Sequence, residues 1–456
     1  MMLRLYNYLA KQLEEFIPIN PPQVGFYSCG PTTYDFAHIG NLRTFIFEDI
    51  LQRVLEIDGY EVKRVMNITD IDDKIIKGAR EKGEGISEFT KPYEQAFFQD
   101  LEKLNIKSAN VYPKATDHIG HMIKYIEELI KKSLAYAEID GSVYFDISKF
   151  PNYGKLSGLE SRTLKPGARI KTDEYTKDDV SDFALWKAVG PDEVGYDSPW
   201  GKGRPGWHIE CSEMSQQYLG ETFDIHGGGV DLLFPHHENE IAQSEGKTGK
   251  KFVNFFVEGE HLLVGGQKMA KSLGNFYKLG DLEVKGFESL AYRYLCLTAH
   301  YRDKLNFTWK SLEAAQNALN NLREEIRGWD VINGSSEQSK GDIGQFWQKF
   351  LDAAKMDLNM PQAVAVMWEM IHSDNPTSAK AKTILEMDKI LGLQLDDYLG
   401  KPVKVPAKVM ELIRKREEAR KSGDFNTSDM LRKEIKKMGF EVEDTPSGPK
   451  VKSVVN

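Results

Sequence analysis

Two short loops of this 456-residue chain carry residue types that handle phosphate. The first, residues 29–41 (CGPTTYDFAHIGN), runs from a strand-like stretch into a helix-like one. A glycine loop at such a junction aims backbone N–H groups of a helix N-terminus at an anion. His38 and Asn41, near the helix start, could each donate to a phosphate oxygen. The second loop, residues 266–272 (GQKMAKS), is polar and flanked by glycine. Lys268 and Lys271 could both neutralise charge that builds on a departing pyrophosphate. Taken singly, each loop has a plainer reading: a helix start with satisfied polar side chains, and a basic surface loop.

The literal string HIGH occurs elsewhere, at residues 118–121. No glycine loop precedes it, and it opens an amphipathic stretch behind Asp117, which reads as an N-cap. Context decides between two similar spellings, so His118 and His121 are read as ordinary helix residues. The three cysteines, Cys29, Cys211 and Cys296, are odd in number and far apart. They cannot form a disulfide framework, and a reducing compartment, the cytoplasm, is expected. Cys296 sits among apolar neighbours and reads as core.

These residues need elements to position them. Residues 24–28 (VGFYS) read as a buried strand. The spacing of Phe45, Ile46, Ile50, Leu51 and Leu55 predicts a helix, and residues 61–69 (EVKRVMNIT) a second strand. Strand, loop, helix and strand form a βαβ unit, which favours a parallel sheet. From Asp117 a helix is expected through Ile119, Ile123, Ile126 and Ile130. Residues 137–187 alternate and break often, as a β-rich insert would. Residues 196–210 (YDSPWGKGRPGWHIE) read as a return linker. TFDIHGGG (222–229) predicts another parallel strand ending in a glycine loop, and a helix is expected from Pro235. Residues 252–266 are strand-like. Beyond Trp309, the steps of three and four between Leu312, Ala315, Leu319, Leu322 and Ile326 mark one apolar helix face. Residues 331–341 read as a polar linker, and from Lys408 a charged helix pair leads to a short strand-and-turn ending.

The expected fold class is therefore α/β: a doubly wound, Rossmann-like parallel-sheet domain with an insert, then a helical bundle and a small C-terminal α+β module. The expected boundaries are 1–117 and 206–256 for the two halves of the doubly wound domain and 118–205 for the insert. Residues 257–310 hold the lysine loop, 311–400 the bundle and 401–456 the end module. Hydrophobic residues at 41% and charged residues at 28% describe a globular chain rather than a disordered one. No apolar run is long enough to span a membrane. The net charge of −9 argues against generic nucleic-acid binding. Residues 401–456, however, hold 14 Lys/Arg against 9 Asp/Glu, so a local polyanion site is possible there.

The loops and their neighbours together resemble one family. HIGN followed far downstream by KMAKS is similar to the signature pair of class I aminoacyl-tRNA synthetases. FYSCGPTTYDFAHIGN, NITDIDDKI, GWHIECSEMS, FDIHGGGVDLLFPHHENEIAQSE and KMAKSLGNF resemble the cysteinyl-tRNA synthetases specifically, and an EDTP-type ending recurs at residues 443–446. The resemblance implies ATP-dependent activation of L-cysteine and its transfer to tRNA(Cys), by a monomer with no membrane partner. It implies catalytic roles for His38, Asn41, Lys268 and Lys271. ATP, with Mg2+, would meet Pro31, Thr32, His38, Gly40, Asn41, His226, Gly228, Asp231 and Lys271. Cysteine would meet Cys29, Gly30, Thr69 and Trp207. It also implies a Zn2+ ion held by Cys29, Cys211, His236 and Glu240. From the residues alone that site is only partly legible. His236 and Glu240, four apart on a helix, would share a face, but His237 could reach Glu240 as well, and no C-x-x-C pair exists.

The chain departs from the family pattern at Asn41, where histidine is usual, and at Ala270, where serine is usual. Its last residues, GPKVKSVVN, lack an aromatic, arginine-rich ending. Anticodon reading is still expected of residues 414–444. Two alternatives share the signatures. A ligase joining cysteine to an amino sugar in mycothiol synthesis should not need the basic end module. A catalytically idle RNA-binding relative should not keep the metal ligands and lysines.

Overall fold

The computed structural model describes residues 1–159, 169–170, 181–329, 343–401, 403, 405–445 and 448–453. The expected linker 331–341 and parts of the insert lie outside the described residues. The chain divides into two compact units, one of residues 1–279, 296–308 and 349–365, the other of 280–295, 309–348 and 366–456.

The first unit is built on four parallel strands: β1 (Gln23–Ser28), β2 (Glu61–Met66), β3 (Phe223–Gly229) and β4 (Val253–Gly259). Their spatial order is β4-β3-β1-β2. The chain leaves β1 to one side to make β2, and returns much later on the other side as β3. Loops following β1 and β3 therefore diverge, and a crevice opens at the strands' C-terminal ends. Cys29 directly follows β1, and the glycine run 227–229 ends β3.

Helix α1 (Ile39–Ile57) crosses from β1 to β2. Ile39, Leu42, Phe45, Ile46, Ile50, Leu51, Val54 and Leu55 are buried under it, each fully covered side chain contributing roughly 1.5–3 kcal/mol. Between α1 and the sheet, Arg64 of β2 donates to Glu48 at 2.7 Å and to the Ser28 hydroxyl at 3.1 Å, with both charged side chains fully buried.

Helix α2 (Ile119–Lys131) leads into the insert. Strands Ala135–Ala137, Val143–Phe145, Asp182–Ala188 and Gly203–Pro205 pair antiparallel there. Phe145 and Phe183 stack at 5.0 Å in its core.

Two local expectations need correction. The N-cap of α2 is His118 rather than Asp117, because a tight turn, Ala115–His118, feeds straight into the helix. The supposed return linker holds a strand and the start of helix α3 (Trp207–Leu219). Its residues 208–215 are all buried, so no amphipathic stripe marks it in the sequence. As expected, the helical backbone starts at Pro235: a wide helical turn, Leu233–His237, is non-helical only at Phe234 and runs straight into helix α4 (Glu238–Thr248).

In the second unit, helix Trp309–Arg327 buries Leu312, Ala315, Leu319, Leu322 and Ile326 as their spacing predicts. Helices Ala407–Lys421 and Phe425–Lys437 pack with an antiparallel hairpin, Phe440–Thr445 with Gly448–Ser453. No helix among the described residues is long and apolar enough to cross a membrane.

Candidate active site

A cleft of about 710 Å³ opens at the β1/β3 crevice. That volume suits a small-molecule site. Cys29, Gly30, Pro31, Thr32, His38, Asn41, Trp207, Cys211, Gly228, Asp231 and His236 all line it. Asp35, Tyr34 and Lys74, which sequence reasoning passed over, line it too.

His38 caps α1, and the cap is reciprocal. The Asn41 backbone N–H donates to His38 Nδ1 at 3.0 Å, and the His38 N–H donates to Asn41 Oδ1 at 3.3 Å. With Nδ1 accepting, a neutral His38 carries its proton on Nε2. With Oδ1 engaged, Asn41 offers only its NH2 group. Burial holds the His38 imidazole below its ordinary pKa. Gly40 must be small, since a Cβ there would lie 2.9 Å from the His38 ring and from the Met269 side chain.

The floor holds Cys29, Cys211, His236 and Glu240, whose ligand atoms lie within 4.8 Å of one another. Four separate elements supply them: the end of β1, the middle of α3, the turn Leu233–His237 and the first turn of α4. The two Sγ atoms are 3.9 Å apart. His236 Nε2 and Glu240 Oε1 approach to 3.1 Å, yet neither is hydrogen-bonded among the described residues. Two buried polar atoms aimed at one point, beside two thiols, fit a bound cation. Two sulfurs, one imidazole and one carboxylate form a set that zinc accepts. Burial pushes both thiols up and His236 well down, so without a cation all three are neutral.

A second layer orients these ligands. His208 Nδ1 is 2.9 Å from His236 Nδ1. A proton shared there leaves His236 Nε2 free to ligate. Trp207 stacks on the His236 ring at 4.1 Å. His226, fully buried, meets the other Glu240 oxygen at 2.9 Å, so it braces the cluster and does not line the cleft. Thr69 is also buried behind the cleft, and its hydroxyl donates to Glu210 at 2.7 Å. His237 faces Glu258 at 2.9 Å and lies 3.6 Å from Cys29 Sγ. Asn67 accepts from the Gly30 N–H at 2.9 Å. Of the braces that sequence reasoning missed, Asn67 and His208 had one signal, lying within two residues of Thr69 and Trp207, while Glu258 had none.

Lys271 and Lys268 stand on an exposed loop between Gly265–Gly266 and Gly274, all three at positive φ. Lys271 pairs with Asp35. Lys268 lies on strand Gln267–Lys268, paired with Leu262–Val264. The literal HIGH string lies away from the cleft. His118 is buried, with Nδ1 2.7 Å from the Lys114 carbonyl and Nε2 3.0 Å from the Tyr218 hydroxyl. Although His118, His121 and Glu213 cluster, both His118 nitrogens are already engaged.

Residues 15–317 match the family described as tRNA synthetases class I (C) catalytic domain. Residues 403–449 match the cysteinyl-tRNA ligase anticodon binding domain. The cysteine--tRNA ligase of Chlamydia muridarum is 47% identical over 100% of both chains. That of Chlamydia pneumoniae is 45% identical over 99% of this chain and 98% of its own. Among solved structures, methionyl-tRNA synthetase of Mycobacterium tuberculosis bound by methionyl-adenylate aligns at a TM-score of 0.62. It is 12% identical and covers 82% of this chain and 93% of its own. LeuRS of Agrobacterium radiobacter K84 aligns at 0.59 with 11% identity over 84% and 85%. At such identities the structural likeness speaks for the fold alone.

Proposed function

The chain belongs to the cysteinyl-tRNA synthetase family of class I aminoacyl-tRNA synthetases, and from that membership we propose how its residues divide the work. The activity is that of a cysteine–tRNA ligase. In the first step the carboxylate of L-cysteine attacks the α-phosphorus of ATP, forming cysteinyl-adenylate and releasing pyrophosphate. In the second, the terminal ribose hydroxyl of tRNA(Cys) attacks the adenylate carbonyl and AMP leaves.

The nucleotide lies across the β1/β3 crevice, with Pro31, Thr32, Gly228 and Asp231 along its walls. His38 donates from Nε2 and Asn41 from its amide to the phosphates. Lys271, with Lys268, neutralises charge that moves onto the leaving pyrophosphate. These are positioning and electrostatic tasks, and no enzyme nucleophile is required. Replacing Lys271 by Ala should lower adenylate formation far more than cysteine affinity, the sign of a transition-state contact.

Cysteine occupies the floor beside Trp207, Gly30 and Cys29. The metal site is the cluster of Cys29, Cys211, His236 and Glu240, and we assign it to zinc. Bound there, zinc would accept the substrate's thiol as thiolate, a soft donor that serine, alanine and valine lack. A pocket that depends on one polar contact rejects analogues without it by about 10⁴–10⁵. No editing site is then needed. The C-terminal helix pair and hairpin would read the anticodon, which favours RNA over an amino sugar as acceptor. The cytoplasm is the compartment we expect, since it keeps Cys29 and Cys211 reduced.

The observation that carries this reading is the buried pair of thiols, with His236 and Glu240, on the floor of the cleft that His38 and Asn41 line. Charging of tRNA with labelled cysteine tests it: label should reach RNA only with ATP. Robust ATP–pyrophosphate exchange with serine would sink the account of selectivity. Cysteine-dependent exchange without RNA-bound label would point to the amino-sugar ligase.

A further inference from the structure

Three residues of the loop after β1, Tyr34, Asp35 and Phe36, gather lysines. The Asp35 carboxylate holds Lys271 through Oδ2 and lies 3.4 Å from Lys278 through Oδ1. The Lys271 ammonium sits 5.7 Å from the Tyr34 ring centre and 5.2 Å from that of Phe276. Lys278 lies 4.4 Å over Phe36, and Lys74 lies 5.2 Å over Tyr34. Distances of this order are those of cation–π attraction.

The backbone frames this cluster. The Ile39 N–H donates to the Tyr277 carbonyl at 2.9 Å, and His38 and Lys278 form an antiparallel bridge. The stretch around 277–278 is thus fastened to the start of α1. Residues 267–273 lie between glycines at positive φ on either side, where backbone rotation is easy. Within that stretch the Lys271 side chain reaches back to Asp35, a cleft-lining residue on the same loop as His38. Lys271 therefore rests beside the place where polyphosphate charge would arrive, neutralised by a carboxylate that polyphosphate oxygens can replace.

We propose that Asp35 is a positioning residue: it docks Lys271 at the mouth of the cleft in the ATP-free protein, and ATP exchanges for it as the lysine's partner. The proposal rests on the reading of Lys271 as a pyrophosphate contact. It assigns to Asp35 a role distinct from general repulsion of the nucleotide. An exposed ion pair is weak, so the exchange can be reversible, and the pair should loosen as salt rises.

The test is a double-mutant cycle on ATP binding, read by equilibrium dialysis with labelled ATP. D35N should tighten ATP about two- to fivefold at low salt, and this gain should vanish when K271A is already present. D35E, which keeps the carboxylate, should restore the wild-type affinity. Trypsin supplies a second readout, because Lys268 and Lys271 are themselves cleavage points. Without ATP, D35N should speed cleavage of the 265–274 loop, and K271A should speed cleavage after Lys268. K271A alone gives this readout if D35N does not fold. An equal gain in ATP affinity from D35N with or without Lys271 would overturn the proposal, as general repulsion would explain it. Unchanged loop cleavage in both variants would overturn it too. A wild-type protein that exchanges pyrophosphate but shows an additive cycle would sink only this inference. Absence of exchange would sink the functional reading beneath it.

Discussion

His38 and Asn41 cap the same helix by bonding each other: the Asn41 N–H meets His38 Nδ1 at 3.0 Å, and the His38 N–H meets Asn41 Oδ1 at 3.3 Å. The exchange uses the acceptor atoms of both side chains and leaves each with a donor. A cap is worth about 1 kcal/mol, and a lost donor to developing charge costs about 10²–10³ in rate. N41A should therefore lower kcat for ATP–pyrophosphate exchange about 100-fold and melt a few degrees early. N41H should keep most of the rate. Loss of melting temperature without loss of rate would reduce Asn41 to a cap.

The same pair carries a pH signature. Burial lowers the His38 pKa from the ordinary value near 6.5. The neutral, Nε2-protonated ring thus prevails at pH 7. A folded-state pKa below the unfolded value stabilises the fold above pH 6.5, and that contribution fades as pH falls through the folded value. Protonating Nδ1 also breaks the bond from Asn41. Exchange measured from pH 5 to 9 should lose activity through His38 only below pH 6.5. A His38-dependent limb centred above pH 7 would contradict the placement of its proton.

Removing a floor ligand should separate metal from nucleotide. C211A and E240Q should each lose most of their bound zinc to a mild chelator, as read by atomic emission. Cysteine affinity should fall with the metal, while labelled ATP still binds. Full zinc retention by both variants would move the metal elsewhere.

Gly30 allows a close approach that no other residue can. A Cβ there would sit 1.6 Å from the Asn67 carbonyl oxygen. G30A must push β1's loop off Asn67, and we expect destabilisation of about 3 kcal/mol by chemical denaturation. Cysteine binding should be lost too.

In the C-terminal module, Arg416 holds Asp444 with two bonds, at 2.8 and 2.9 Å. It ties the first helix of the pair to the hairpin. R416A should raise KM for tRNA(Cys) about tenfold or more while pyrophosphate exchange, whose proposed residues all lie in the first unit, stays within about twofold. Equal losses in both assays would place the defect in global folding.

Local structure was legible in the sequence. A glycine loop between strand and helix, the run FDIHGGG and a lysine pair among glycines depend on neighbours a few residues away, so their spelling carries their conformation. The parallel sheet followed because hydrophobic period and loop length together restrict the topology. The stripe from Leu312 to Ile326 was legible for the same reason.

What needed the tertiary structure were meetings between distant residues. Helix α3, which carries Cys211, is buried along residues 208–215, and a helix covered on every side has no periodic signal to read. His236 and His237 are adjacent in sequence, yet one faces Glu240 and the other Glu258. That division is made by the wide turn before α4 and by the register of β3 beside β4. The pairing of Asp35 with Lys271 spans 236 positions. No local pattern encodes it, because only the tertiary fold brings the loop after β1 and the 265–274 loop together.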